Sequence, residues 1–423
     1  MARSARCSAV KGGPEHAAAP TSNYAKGWGV QMSGDVSQNL LVVRDGGDFR
    51  VVTDLTRDQV FASTSAADAL QWAIDALPAG GGSVALGLGE FPLAGAVRLA
   101  SNIWLRGSGR GTRVVAGAGA AGLVCEGLKG TVVSDLAVMA GADGPSTGIL
   151  VDDCGDCQVR DVLVQGFSDY GIWMRNHSFL CELKSCKAAD NGKANLFLDH
   201  LAHGGRGGDF VPNLVTNCIT YGGRTGIECR HTLVVNIVGC AVYEPGRHAY
   251  HLHDESNSVL ISGCRSFQAG GHAVLVEHSH ELNVSSSIFC WHRGHGIVLR
   301  DVSWGAVNGN EFIDQGVRSH DGAYMKGVDL LEGTQGVQVV GNTIFNWGDQ
   351  PPMSIGIEED ATCRNNVIAH NNINYYTEGA VASAGAGTQA TANVGHGEGA
   401  YLGMGREPYP DFTRGRLEMF MRR

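Results

Sequence analysis

With 423 residues, the chain is long enough for one large domain or two ordinary ones. Its 61 glycines are about twice the usual share, and charged residues at 17% fall below the usual quarter, which favours short strands and tight turns over helical bundles. A formal net charge of -10 argues against general nucleic-acid binding, and no run approaches the roughly 18 apolar residues of a membrane span, so neither nucleic acid nor membrane is expected as a partner.

The start, "MARSARCSAVKGGPEHAAAPTSNYAKG", has two arginines but no apolar core behind them, so it reads as a flexible leader over residues 1–25 and is a poor signal peptide. This leaves the localisation open between the cytoplasm and secretion with a leader removed. Next, Ala66, Leu70, Trp72, Ala73 and Leu77 recur at helical spacing, which predicts an amphipathic helix that caps the open end of the repeats behind it.

Behind the helix come "GGGSVALGLGEF" and "LASNIWLRGSGRGTRV", and then a self-similar stretch. The segments "KSCKAA", "TNCITY", "VGCAVY", "SGCRSF", "SSSIFC", "NGNEFI", "VGNTIF" and "HNNINY" align into one column: Cys186, Cys218, Cys240, Cys264, Ser287, Asn310, Asn342 and Asn372. Upstream, "VVSDLAV" and "VRDVLV" extend it with Asp135 and Asp161. Steps of mostly 22 to 25 residues leave no room for a helix in each repeat, and no 3.6-residue periodicity is present.

Each repeat instead holds three short β segments, the third of the type "GIxLx", as in "GIWMRN", "GIECRH" and "GIVLRD". Its second and fourth positions point inward and its third and fifth point out. Three strands per coil, stacked coil on coil, predict an all-β fold: a single-stranded right-handed parallel β-helix, or solenoid, with an N-terminal capping helix. Stacked amides explain an Asn such as Asn342 inside an apolar run, and the ladder cysteines read as small buried thiols, not as disulfides or a zinc site.

The helix, the "GGGSVALGLGEF" segment and the coils behind it resemble the pectate-lyase-like superfamily of carbohydrate-active β-helix proteins over roughly residues 60–385. Lyases, hydrolases, epimerases, fructan transferases and phage tailspikes share that fold. The β-helix domain with its cap is expected over 26–385. The tail over 386–423 loses the rung pattern and reads as a C-terminal cap, with "DFTRGRLEMFMRR" as a short helix.

The resemblance places a polysaccharide or oligosaccharide substrate on the outer face of the "GIxLx" sheet. It also makes a homo-oligomer, such as a trimer, an expectation. Outward fifth positions include Arg175, Asp199, Arg230, His253, Glu277, Arg300 and Glu358; outward third positions include Trp173, Phe197, Glu228, His251 and Asp329. A column of His248, His272, His295 and Lys326 runs just ahead of the strands. Alternating charges on neighbouring rungs suit a solvated strand face, but they do not account for the concentration of His and aromatic residues. Two insertions, "HLAHGGRGGDFVPN" and "GVRSHDGAY", would wall the groove, with Trp173, Phe197, Tyr243, Trp291 and Trp347 as stacking platforms.

Two chemistries fit these residues. In β-elimination from a uronate, Arg230 and Arg300 would hold the carboxylate and His253 or His251 would remove the C5 proton, with Lys326 in reserve. In hydrolysis or transfer, Asp199 and Glu228, about 8 Å apart by strand geometry, or Glu277, would supply the carboxylates. A non-catalytic, tailspike-like glycan binder is the third reading. Binding would fall to Arg175, Trp173, Phe197, Arg300, His248, His272, His295 and Lys326. Calcium, which many pectate lyases use, needs clustered carboxylates; Asp152, Asp153 and Asp156 of "VDDCGDC" sit at a turn away from the groove, so no metal ligand is expected in it.

Overall fold

Once per rung, the chain makes a turn through a residue in the left-handed region. Asp135, Asp161, Ser185, Asn217, Gly239 and Ser286 occupy equivalent turns with φ between 51 and 66°. Asp, Asn, Ser and Gly are the residues that tolerate this conformation best. The residue after each turn points inward and begins the next strand's ladder.

A computed structural model of the chain describes residues 39–200, 212–316, 325–346 and 353–396. They form three long sheets of 16, 13 and 12 strands, in which each strand pairs in parallel with its equivalent one rung away, apart from the antiparallel Asn39–Asp45, Asp48–Thr53 and Gln59–Ser63 at the N-terminal end. This is a parallel β-solenoid. The helix Ala66–Asp75 starts at Ser65, whose hydroxyl accepts the Asp68 N–H at 3.2 Å. It buries Ala66, Ala69, Leu70, Ala73 and Ile74 against the first strands. Trp72 lies flat on Phe61, with ring centroids 4.9 Å apart, and Leu77 lies just past the helix.

Inside, one apolar cluster runs the length of the stack. Its ladder follows the predicted column with three shifts. Leu136 and Val162 take the places expected of Asp135 and Asp161, which occupy the left-handed turn one residue earlier. Asn371, not the exposed Asn372, stacks beneath Asn342. Asn342 Nδ2 donates to Val307 O (2.8 Å) and to Asn371 Oδ1 (2.9 Å), while Asn342 Oδ1 accepts the Asn310 N–H at 3.0 Å. No polar atom of the amide is stranded. The cysteines play the same part more weakly: Cys186, Cys218, Cys240 and Cys264 each point Sγ at a carbonyl of the rung before, at 3.1 to 3.5 Å. Among the described residues every cysteine is free and buried.

The Gly of "GIxLx" has a packing cause. A Cβ on Gly226 would lie 2.6 Å from Ala249 O, and one on Gly296 would lie 2.4 Å from Gly327 O. The rung pattern also runs past residue 385, where it was expected to stop: Gln389–Thr391 and Val394–His396 pair in register with the rung before. Small and polar residues there hide the pattern, because this last rung is exposed on one side. The leader, both insertions, Trp347 and the tail beyond His396 lie outside the described residues, apart from the edges of the insertions. Among the described residues no helix is long and apolar enough to cross a membrane.

Candidate functional site on the outer face of the 12-stranded sheet

Six successive strands build the site: Tyr170–Arg175, Ala194–Asp199, Thr225–Arg230, Tyr250–His253, Val274–His280 and Ile297–Ser303. Their register stacks Trp173, Phe197, Glu228 and His251 in one outward column and Arg175, Asp199, Arg230 and His253 in the other. Glu358 belongs to the first column, not the second, because it pairs with Asp329. The next residue, Glu359, takes an inward position where the pattern calls for an apolar one. It is held by Asn366, Ser383 and Thr388.

At the first three strands the face is closed by internal pairing. Arg175 reaches Asp152 at 2.6 Å and covers the Trp173 ring. Arg230 grips Asp199 with two bonds of 2.6 and 3.2 Å and lies over Phe197. Asp199 is 0% exposed and Phe197 only 1%, with Tyr170 stacked 4.6 Å from it. The expected roles of Asp199 as a reacting carboxylate and Phe197 as an open platform therefore do not match their surroundings. Tyr243, on the 13-stranded sheet, stacks on Phe267, and Trp291, just past a strand of the same sheet, packs tilted against that ring.

The fourth strand is different. His251 and His253 stack with centroids 4.3 Å apart, and their carboxylate partners are diagonal. His251 Nε2 lies 3.0 Å from Glu277 Oε2, one rung on. His253 Nε2 lies 3.2 Å from Glu228 Oε1, one rung back, and His253 Nδ1 lies 3.0 Å from Asp254 Oδ2. Ionised carboxylates only accept hydrogen bonds, so a ring between two of them is best served by N–H on both nitrogens. Burial opposes the charged ring at His253, but Glu228 and Asp254 outweigh it and hold its pKa above the ordinary value. At His251, burial and the neighbouring His253 prevail over Glu277, and the pKa is lowered. Asp254 is a member that the sequence reading missed, although a carboxylate directly after "HLH" was a usable signal.

The column ahead of the strands forms a second stack. His248, His272 and His295 lie with centroids 5.1 Å apart at each step. Each Nδ1 accepts a backbone N–H from the next rung: His272 N–H to His248 (3.1 Å), His295 N–H to His272 (3.0 Å) and Lys326 N–H to His295 (2.9 Å). Burial pushes their pKa values down to about 2, 4 and 3. These rings are neutral supports at the groove edge. Lys326 Nζ sits between Asp329, at 3.0 Å, and Glu358. Arg300 lies 3.8 Å from both Glu277 and Glu332.

Asp152 is taken by Arg175 and Asn176, and Asp153 and Asp156 are exposed. Among the described residues the one convergent donor group is Glu228, His251 and His253, within 4.8 Å of one another. Two imidazoles and one carboxylate are unlike the all-oxygen shell of calcium.

A family model described as a right handed beta helix region matches residues 147–312. No curated protein matches the chain significantly. Solved structures do. The A-module of the Azotobacter vinelandii mannuronan C-5 epimerase AlgE4 is 17% identical, covers 78% of this chain and 94% of its own, and has a TM-score of 0.63. A tailspike protein of the E. coli bacteriophage HK620, in complex with a pentasaccharide, is 14% identical over 79% of this chain and 75% of its own, with a TM-score of 0.56. The DFA-IIIase of Arthrobacter chlorophenolicus A6, in complex with GF2, is 16% identical over 72% and 87%, with a TM-score of 0.52. The chain is a right-handed parallel β-helix protein. At these identities the likeness is one of fold.

Proposed function

We propose that the protein cleaves an acidic polysaccharide or oligosaccharide by β-elimination at the His251–His253 pair. One observation carries this reading: two stacked imidazoles on the outer face have surroundings that push their pKa values in opposite directions. Such divergence sorts a base from an acid. With Nε2–H donated to Glu277, neutral His251 has the Nδ1 lone pair for the C5 proton of a uronate. The C4–O bond breaks as the C4–C5 double bond forms, and His253, as imidazolium, gives its proton to the leaving oxygen. This reverses the sequence expectation, which put His253 first as base.

The clamp also shifts. Arg230 is neutralised by enclosed Asp199 and serves to position the sheet, whereas Arg300 has only long contacts and is free to turn to a substrate carboxylate. A neighbour of the same fold is named for acting at C-5 of mannuronan, the carbon at which this elimination would begin. A second reading is favoured by Asp329 and Glu358, which face each other across adjacent strands with Lys326 between them. Burial raises the pKa of Asp329, which suits the acid of a hydrolase or transferase.

Incubation with a panel of acidic and neutral glycans separates these readings. Ultraviolet absorbance from an unsaturated uronate is the expected result. New reducing ends without it would move the reaction to Asp329 and Glu358, and binding without any cleavage would leave a glycan-binding protein.

A further inference from the structure

Beside the histidine pair, at the edge of the same rungs, lies an open cavity of about 640 Å³. Gly223, Gly246, Asp190, Asn191, Arg224 and Arg247 line it. The two arginines belong to adjacent rungs, with the Arg247 N–H donated to Arg224 O at 2.7 Å. Both are exposed, and neither has a carboxylate partner among the described residues. Around the reacting pair, in contrast, Arg175, Arg230 and Lys326 are each held closely by a carboxylate, and Arg300 has two at 3.8 Å. Like charges stacked on neighbouring strands repel. Asp190 lines the cavity too, but its carboxylate accepts from Gln165 Nε2 at 3.2 Å and makes no ion pair with either arginine among the described residues.

One step along the chain links this lining to the surroundings of the proposed reaction centre. Arg247 directly precedes His248, whose ring centroid is 5.3 Å from that of His251. We infer that Arg224 and Arg247 form a subsite for a second anionic group of the same glycan, a carboxylate on a sugar residue next to or near the one that reacts. Two guanidinium groups carried by the bends just ahead of adjacent strands, whose rungs are about 4.8 Å apart, can present several donors to one carboxylate, and no rearrangement of an existing ion pair is needed. The subsite rests on the reading of an acidic substrate and makes it specific: the enzyme would require at least two charged sugars in sequence.

The test compares wild type with the Arg224→Ala/Arg247→Ala variant on short and long oligogalacturonates and oligomannuronates, by calorimetric binding and by KM. The expected result is about a tenfold weaker Kd and higher KM for the long acidic chains. A shallower salt dependence and an unchanged melting temperature should accompany it. Lysine at both positions should restore the salt dependence but only part of the affinity. Unchanged affinity and salt dependence in the alanine variant would overturn the subsite, even if unsaturated product still forms. Arginine-dependent binding with no unsaturated product would uphold the subsite and remove the lyase reading instead.

Discussion

His248, His272 and His295 stand just ahead of three successive strands, and His251 and His253 lie on the first of those strands. Their residue type, fold position and rung spacing are nearly the same, but their nitrogens face different things. In the stack, each Nδ1 accepts a backbone N–H from the next rung, much as the Asn342 amide in the interior accepts one from the rung before. A ring held this way has to be neutral, and burial reinforces it. In the pair, each Nε2 faces a carboxylate on a neighbouring strand, and His253 Nδ1 faces that of Asp254 beside it. On the proposed function, a histidine of this sheet supports the fold or reacts according to whether its partner is a main-chain donor or a side-chain acid.

The largest test of that contrast removes the pair. His251→Ala and His253→Ala should each lower turnover about a hundredfold or more, the range of lost general acid–base catalysis, with little change in melting. Turnover at the wild-type rate in the double variant would erase the distinction between the two sets.

Removing the middle of the stack should do the opposite. His272→Ala leaves the backbone N–H of His295 without its acceptor, at a cost of about 1–3 kcal/mol in denaturant unfolding. Turnover should fall far less than in the pair variants. If His272→Ala melts like wild type yet is inactive, the stack is reactive and the comparison fails.

A smaller effect should appear in the pH dependence of kcat/KM. A base must be neutral, so activity rises as pH climbs through the lowered value of His251. An acid must be protonated, so activity falls as pH climbs through the raised value of His253. Glu228→Gln removes one of the two carboxylates that raise it, so the alkaline limb should move to lower pH, with a severalfold loss just above neutrality. Glu228 also raises His251, though without a hydrogen bond to it, so the acid limb should move down by less; an acid limb that moves more than the alkaline one would exchange the two roles.

The solenoid was legible because its evidence repeats: ten or more copies of one inward column tolerate an error in any single copy. The errors that occurred were local slips. Asn371 and Asn372 are adjacent and chemically identical, so the period alone does not choose between them. Glu358 was shifted because Glu359 breaks the apolar code with a buried carboxylate satisfied by residues from three other segments. Site residues were legible as a list but not as partners. Spacing puts Asp199 and Glu228 on one face. It does not reveal that Arg230 folds over Asp199, or that His253 reaches back to Glu228 while His251 reaches forward to Glu277. Those choices depend on rotamers and diagonal neighbours, which a one-dimensional period does not encode.

The finest test concerns stability, where the stack histidines and His253 have opposite signs. A stack histidine such as His272 titrates at about 4 in the folded protein, against roughly 6.5 when unfolded. Between those values the unfolded chain holds a proton that the folded one lacks, so acidification favours unfolding. Its contribution is fully present above the unfolded value and is lost as pH falls toward the folded one. His253 is raised instead, so its contribution is present below the unfolded value and is lost as pH rises through the folded one. His272→Asn keeps a side-chain acceptor for the His295 N–H but cannot titrate. The variant should therefore flatten the acid side of the stability curve by about 1 kcal/mol per pH unit between pH 6 and 5, and leave the side above pH 7 unchanged. Denaturant unfolding across that range measures it. An acid slope as steep as wild type would mean that the stack is already protonated in the folded protein, and its rings would then have to be donors to the groove, not supports for it.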